Sequence, residues 1–158
     1  MGQWASLVTA PPIALLRSTD TRLLEKSSAV HTIDDELHST IQQMIRIATT
    51  LSGLGLAGSQ VGYMRRVCIV REDTTYPFTI LINPRILSRG GGTEGRNESC
   101  LSFPGRIAYV QRHRKIKIEY QTPENESVQL VCRMLLARVV QHEIDHLDGI
   151  VLSSSHRL

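Results

Sequence analysis

Residues 140–149 read VQHEIDHLDG, with His142 and His146 four positions apart and Glu143 directly after the first histidine. On a helix, positions i and i+4 differ by about 40° in direction and by one turn in height, so both imidazoles can converge on one ion. Glu143 projects about 100° away from His142, toward a neighbouring cleft rather than at the metal. A carboxylate there can hydrogen-bond a metal-activated water and take its proton. Two histidines on an exposed helix would be the plain alternative. The apolar residues around them argue against it, because buried histidines and acids need partners.

Two ligands do not complete a metal site, so a third is required. The long zincin form, His-Glu-x-x-His-x-x-Gly-x-x-His, is matched through Gly149, but Leu152 stands where its third histidine would fall. Only 12 residues follow His146, and the one late histidine, His156, lies near the terminus. The third ligand is therefore expected upstream. The candidate is Cys100 in NESCLSFPG, residues 97–105. Its thiolate suits iron or zinc, and metal binding would hold it deprotonated. A further structural cysteine is the other reading. A third segment, SGLGLAGSQVG at 52–62, is glycine-rich and carries Gln60. Glycines let a backbone approach another group closely, and Gln60 offers both a donor and an acceptor. A helix stop followed by a turn would also use these residues.

The elements that must position these groups read as one α+β domain spanning 1–158. Thr32 is expected to open a helix, with Asp35 completing a variant capping box and Asp34, Asp35 and Glu36 favouring its N-terminal dipole. Ile33, Leu37, Ile41, Met44, Ile45, Ala48 and Leu51 follow at spacings of three and four and predict one buried face. Gly53 is placed to end the helix in the left-handed conformation. VCIVR at 67–71 and FTILIN at 78–83 predict strands, the second closed by Pro84. RGGGTEGRN at 89–97 reads as a mobile loop. RIAYVQRH and KIKIEYQ read as a hairpin, Ile116, Ile118 and Tyr120 giving the dry face of its second strand. TPENES at 122–127 reads as a turn. From about Ser127 to Leu147 the pattern is helical and apolar nearly all round, which predicts a buried core helix with antiparallel β-sheets wrapped around it.

Aromatic residues make up only 4% of the chain, which argues against a protein that stacks nucleic-acid bases on rings. The net charge of +3 is a weak bias toward anionic partners such as ribosomal RNA. No run approaches the roughly 18 apolar residues that a membrane span needs. The start, MGQWASLVTAPPIALL, has neither the charged opening of a secretory signal nor the Arg-rich character of a transit peptide. Gly2 and Ser6 fit the loose myristoylation pattern, which is short enough to occur by accident. The three cysteines, Cys68, Cys100 and Cys132, lack disulfide spacing, and Cys68 and Cys132 sit in apolar runs as reduced core residues. Cytoplasm is the expected compartment, whether a bacterial cytosol or an infected host cell, with an organelle less favoured.

Taken together, the three segments resemble the peptide deformylase family. That family carries Gly-x-Gly-x-Ala-Ala-x-Gln, then Glu-Gly-Cys-Leu-Ser, then Gln-His-Glu-x-x-Asp-His-Leu. Here the first motif appears as Gly53, Gly55, Ala57, Gly58 and Gln60, the second as Glu98, Ser99, Cys100, Leu101 and Ser102, and the third as Gln141, His142, Glu143, Asp145, His146 and Leu147. Order and separation match, and the similarity runs over nearly the whole chain. Gly58 replaces the second alanine and Ser99 the glycine, and neither change removes a catalytic group. Many bacterial members continue into a C-terminal helix that helps them dock on the ribosome. SSSHRL cannot supply one, so the chain reads as a minimal, phage-like form with at most weak ribosome association.

The resemblance implies hydrolysis of the N-formyl group from the initiator methionine of new polypeptides. Cys100, His142 and His146 would hold one divalent ion, Fe2+ in the cell, with Zn2+, Ni2+ or Co2+ tolerated. Metal-activated water would attack the formyl carbon, with Glu143 as general base and then acid. Gln60 and the backbone N–H of Leu101 would meet the oxyanion. The substrate backbone would add as a strand near Gly55, and Leu54, Leu135 and Val139 would line the methionine pocket. Arg138 is expected to point out of that pocket. A peptide-bond metallopeptidase and a catalytically silent protein at the nascent-chain exit are the rival readings. Leu152 and the upstream cysteine weigh against the first, and the intact Glu143, Gln60 and ligand set against the second. No membrane or sequence-specific nucleic-acid partner is expected.

Overall fold

In the computed structural model, which describes residues 12–152, the chain forms two helices and one antiparallel sheet. Helix α1 spans Asp35–Thr50 and helix α2 spans Met134–Leu147. The strands are β1 (Gly55–Ala57), β2 (Val67–Val70), β3 (Thr79–Cys100), β4 (Phe103–Gln121) and β5 (Ser127–Arg133), paired in the order β1-β2-β3-β4-β5. A 3-10 turn over Gly58–Val61 follows β1.

The α+β class and the buried C-terminal helix stand as expected, with one continuous sheet in place of several. Strand β2 shows how the helices divide that sheet. Cys68 and Val70 pack with Val140, Ile144 and Leu147 of α2, while Val67 and Ile69 pack with Leu37, Ile41 and Met44 of α1. Alternate side chains of a strand point to opposite faces, so four buried residues in a row mean cover on both sides. Ile116, Ile118 and Tyr120 join the α2 core from β4, as their alternation predicts.

Several boundaries differ from the sequence reading. Residues 127–133 form β5, not the first third of the core helix. Val128, Leu130 and Cys132 turn toward the core while Ser127, Gln129, Val131 and Arg133 are exposed, a period of two that a mostly apolar run conceals. Met134 then makes the corner at φ 51°. Pro84 does not close a strand, and 89–97 is no loop: β3 runs through both. Its ladder with β4 absorbs them at irregularities between Ile82 and Arg85 and between Gly90 and Thr93, where Asn83, Gly91 and Gly92 take positive φ. The segments read as a hairpin are one strand, β4, and the tight connection lies earlier, at Leu101 and Ser102.

Helix α1 begins two residues later than expected, with Asp34 rather than Thr32 as its N-cap, accepting from the Leu37 N–H at 2.9 Å. Asp34 outcompetes Thr32 because the chain turns helical only at Asp35. At the far end Ser52, not Gly53, takes the left-handed conformation, and Leu51 is exposed rather than buried. Gly53 instead meets the core: a Cβ there would lie 2.9 Å from the Leu101 side chain. Residues 122–126 turn as predicted, with Asn125 at φ 63°. Cys68 and Cys132 are buried free thiols. Gly2, Ser6, His156 and the SSSHRL terminus lie outside the described residues.

Candidate active site

Three elements converge on one place. The C-terminal end of β3 presents Cys100, helix α2 presents His142, Glu143 and His146, and the turn after β1 presents Gln60. The Cys100 Sγ lies 3.2 Å from His146 Nε2, which lies 3.2 Å from His142 Nε2. The candidate donor atoms of Cys100, His142 and His146 are all within 4.8 Å of one another. Donors around a tetrahedral ion at about 2.0–2.3 Å sit roughly 3.3–3.6 Å apart. The cluster therefore fits a single ion with modest adjustment.

The tilt of the first imidazole is fixed from behind. His142 Nδ1 is 3.0 Å from Glu98 Oε1, so Nε2 is the nitrogen turned to the cluster. Burial opposes a charge on His142, yet its contacts with Cys100 and Glu98 raise its pKa to about 10. His146, buried and beside His142, is held well below the usual histidine range. The groups around His142 thus favour a positive charge there, and a bound ion would supply that charge in place of the proton, leaving both imidazoles neutral. Burial also opposes ionisation of Glu98, but His142 and Arg112 hold its carboxyl well below the usual carboxylate range.

Glu143 is 3% exposed, and burial pushes its pKa up to about 7. Its carboxylate lies against Gly55, where an added Cβ would be only 2.7 Å from Oε1. Here glycine is required for close approach rather than for backbone conformation. Gln60 is buried and oriented at both ends. Its Oε1 accepts from the Ala57 N–H at 2.9 Å, and its Nε2 donates to Ser102 Oγ at 3.2 Å and faces Cys100 Sγ at 3.4 Å. Ser59 Oγ donates to the His146 carbonyl at 3.2 Å and ties the same turn to α2.

A cleft of about 360 Å³ opens over this cluster. Leu54, Gly55, Gln60, Cys100, Leu101, Leu135, Val139, His142 and Glu143, all singled out from sequence, line it. His146 is 1% exposed and stands behind the cleft as the innermost donor. Arg138 departs from expectation. It lines the cleft and is 8% exposed, because its guanidinium turns inward onto Glu98 Oε2 at 2.6 Å. A buried carboxylate attracts it more strongly than solvent does.

Glu98, Arg112 and Arg138 are the residues that sequence reasoning misses. Glu98 is recognised only as part of a motif, Arg138 is expected to point out of the pocket, and Arg112 is not singled out at all. Arg112 grips Glu98 with Nε and Nη2, each at 2.9 Å, and reaches Asp145 Oδ2 with Nη1. An acid two residues before a candidate ligand was the available signal. Its partners come from β4 and α2, and only the packing reveals them.

The polypeptide deformylase family model matches residues 13–157. The chain belongs to the peptide deformylase family. Membership makes it an enzyme, a hydrolase. A peptide deformylase from Thermotoga petrophila is 38% identical over 133 residues, covering 84% of this chain and 80% of the relative. The crystal structure of peptide deformylase from Thermotoga maritima superposes with a TM-score of 0.84 at 33% identity, over 90% of this chain and 95% of that one. A Met-Ala-Ser-bound peptide deformylase structure from Acinetobacter baumannii gives 0.82 at 29% identity, over 89% and 95%.

Proposed function

We propose that this chain removes the N-formyl group from the initiator methionine of nascent polypeptides and releases formate. One observation carries the reading: the donor atoms of Cys100, His142 and His146 cluster at a single cleft that the Glu143 and Gln60 side chains also line, with His146 as the innermost donor. This donor set suits one divalent ion, Fe2+ in the cell, with Zn2+, Ni2+ and Co2+ compatible with the same sulfur and imidazoles. When bound, the ion supplies Lewis acidity and brings the pKa of water toward neutrality.

The rest is the work of the chain's own residues. Glu143, with a pKa of about 7, is matched to accepting a proton from water at neutral pH. The water oxygen bonds to the formyl carbon, and the carbonyl oxygen becomes an oxyanion. Gln60 Nε2 and the Leu101 backbone N–H donate to it. The carbon–nitrogen bond then breaks, Glu143 passes its proton to the amine nitrogen, and formate leaves. Strand β1 lies at the edge of the sheet, so Gly55 can pair with an extended substrate backbone. Such pairing is indifferent to side chains, which suits nascent chains of any sequence. Leu54, Leu135 and Val139 form the apolar wall for the methionine. The Met-Ala-Ser bound to the Acinetobacter relative supports this substrate class. The setting is the cytoplasm, with at most weak ribosome association.

The test is formate release from formyl-Met-Ala-Ser by anaerobically prepared, iron-loaded protein. Turnover is expected, with no cleavage of unformylated Met-Ala-Ser. Glu143→Ala should lower kcat by about 10²–10⁴-fold, the usual share of a general base, with metal content unchanged. Fully metallated wild type that releases no formate, or that cuts the peptide bond instead, would overturn the proposal.

A further inference from the structure

The metal donors come from two separate elements: the sulfur from β3 and both imidazoles from α2. Something must fix the distance between those elements. Arg138 sits one turn before His142 on α2 and reaches across to both strands of the hairpin. Its Nη1 donates to Glu98 Oε2 at 2.6 Å and to the Val110 carbonyl at 3.0 Å, and its Nη2 donates to the Glu94 carbonyl at 2.5 Å. Glu94 and Glu98 belong to β3, and Val110 belongs to β4.

Glu98 thereby accepts four contacts, two at each oxygen. Arg112 Nη2 and His142 Nδ1 occupy Oε1, while Arg112 Nε and Arg138 Nη1 occupy Oε2. Arg112, from β4, ties Glu98 to Asp145, beyond His142 on α2, while Arg138 supplies the tie on the other side of His142 and reaches both strands. A guanidinium spreads five donors over a rigid planar fork and so reaches a carboxylate and two carbonyls on separate strands, a span that the compact ammonium of lysine covers less well.

We propose that Arg138 is a positioning residue that sets the Cys100 sulfur against the two imidazoles by clamping α2 to the β3–β4 hairpin. The inference takes the three donors of the deformylase reading as its starting point. Arg138 itself touches no reacting atom.

The test uses the full chain loaded with Co2+ or Zn2+. Affinity is measured by chelator competition, and the sulfur-to-cobalt charge-transfer band reports on the Co–S contact. Arg138→Met keeps much of the side-chain volume and leaves Glu98 its Arg112 partner. It should weaken metal affinity by about 10-fold, the lower end of the range for an outer partner of a metal ligand, because Arg138 acts through Glu98. The charge-transfer band should shift or lose intensity. Arg138→Lys keeps the charge but loses the fork, and should recover only part of the loss. If Arg138→Met does not fold, the Lys variant carries the test, with weakened affinity and an altered band again expected. Wild-type affinity and an unchanged cobalt spectrum in a folded variant would overturn the proposal. Wild type that binds metal but releases no formate would sink the deformylase reading and leave this test intact.

Discussion

The contact between Gly55 and Glu143 places the strand expected to receive substrate directly against the group expected to move the proton. A methyl group at position 55 has nowhere to go except into that carboxylate. Gly55→Ala should therefore displace Glu143 rather than destabilise the fold. We expect kcat on formyl-Met-Ala-Ser to fall by on the order of 100-fold, as a displacement of about 1 Å at a reacting group can cause. Metal content by elemental analysis should stay at the wild-type level. Wild-type turnover in that variant would mean that Glu143 has room to work elsewhere. Sequence reveals the glycine but not the reason for it, because two residues 88 positions apart must first be brought together (143 − 55).

Among the elements, α2 has the heaviest duty, since it buries one face in the sheet and presents the other to the cleft. Ala137, Val140, Ile144 and Leu147 form the buried side, and Arg138, Val139, His142 and Glu143 line the cleft. Strand β4 supplies the bed on which α2 rests, through Ile116 and Ile118, both 0% exposed. Ile118→Ala should destabilise the protein by about 2–5 kcal/mol through lost burial and the cavity left behind. Urea unfolding would measure it, and a loss below about 1 kcal/mol would mean that the bed collapses to fill the gap. Strand β5 was hidden by its own composition. Seven residues of mixed apolar type flow into a helix without a glycine or proline between them, and only the positive φ of Met134 marks the corner. Periodicity could not separate the two elements because their inward faces join the same core.

At the scale of the whole molecule, the buried ion cluster around Glu98 links stability to pH. The folded carboxyl titrates well below its ordinary value of 4.5. The linkage sign follows from which state binds the proton. Above the unfolded pKa, Glu98 is ionised in both states and the ion cluster contributes in full. As pH falls from about 4.5 toward the folded pKa, the unfolded chain takes up a proton that the folded one refuses, and stability drops. Glu98→Gln should lower Tm at neutral pH, by breaking a buried cluster, and flatten the slope below about pH 4.5. Thermal melts from about pH 7 to 3 would test this. Identical slopes for wild type and variant would show that other carboxylates carry the acid sensitivity.

How much was legible in advance depended on whether the information was local. The sequence by itself determined the family, the α+β class, the first helix, the buried strand β2, the alternation in β4 and the candidate residues for chemistry, because motif spacing and side-chain period are properties of neighbours along the chain. Tertiary structure alone decided that β3 runs on through Pro84 and four glycines, since pairing with β4 supplies the hydrogen bonds that composition argues against. It alone turned Arg138 inward, brought Arg112 to Glu98 and laid Gly55 against Glu143. These are long-range contacts in which a buried charge or a tight approach selects its partner, and no local pattern records which distant residue that partner will be.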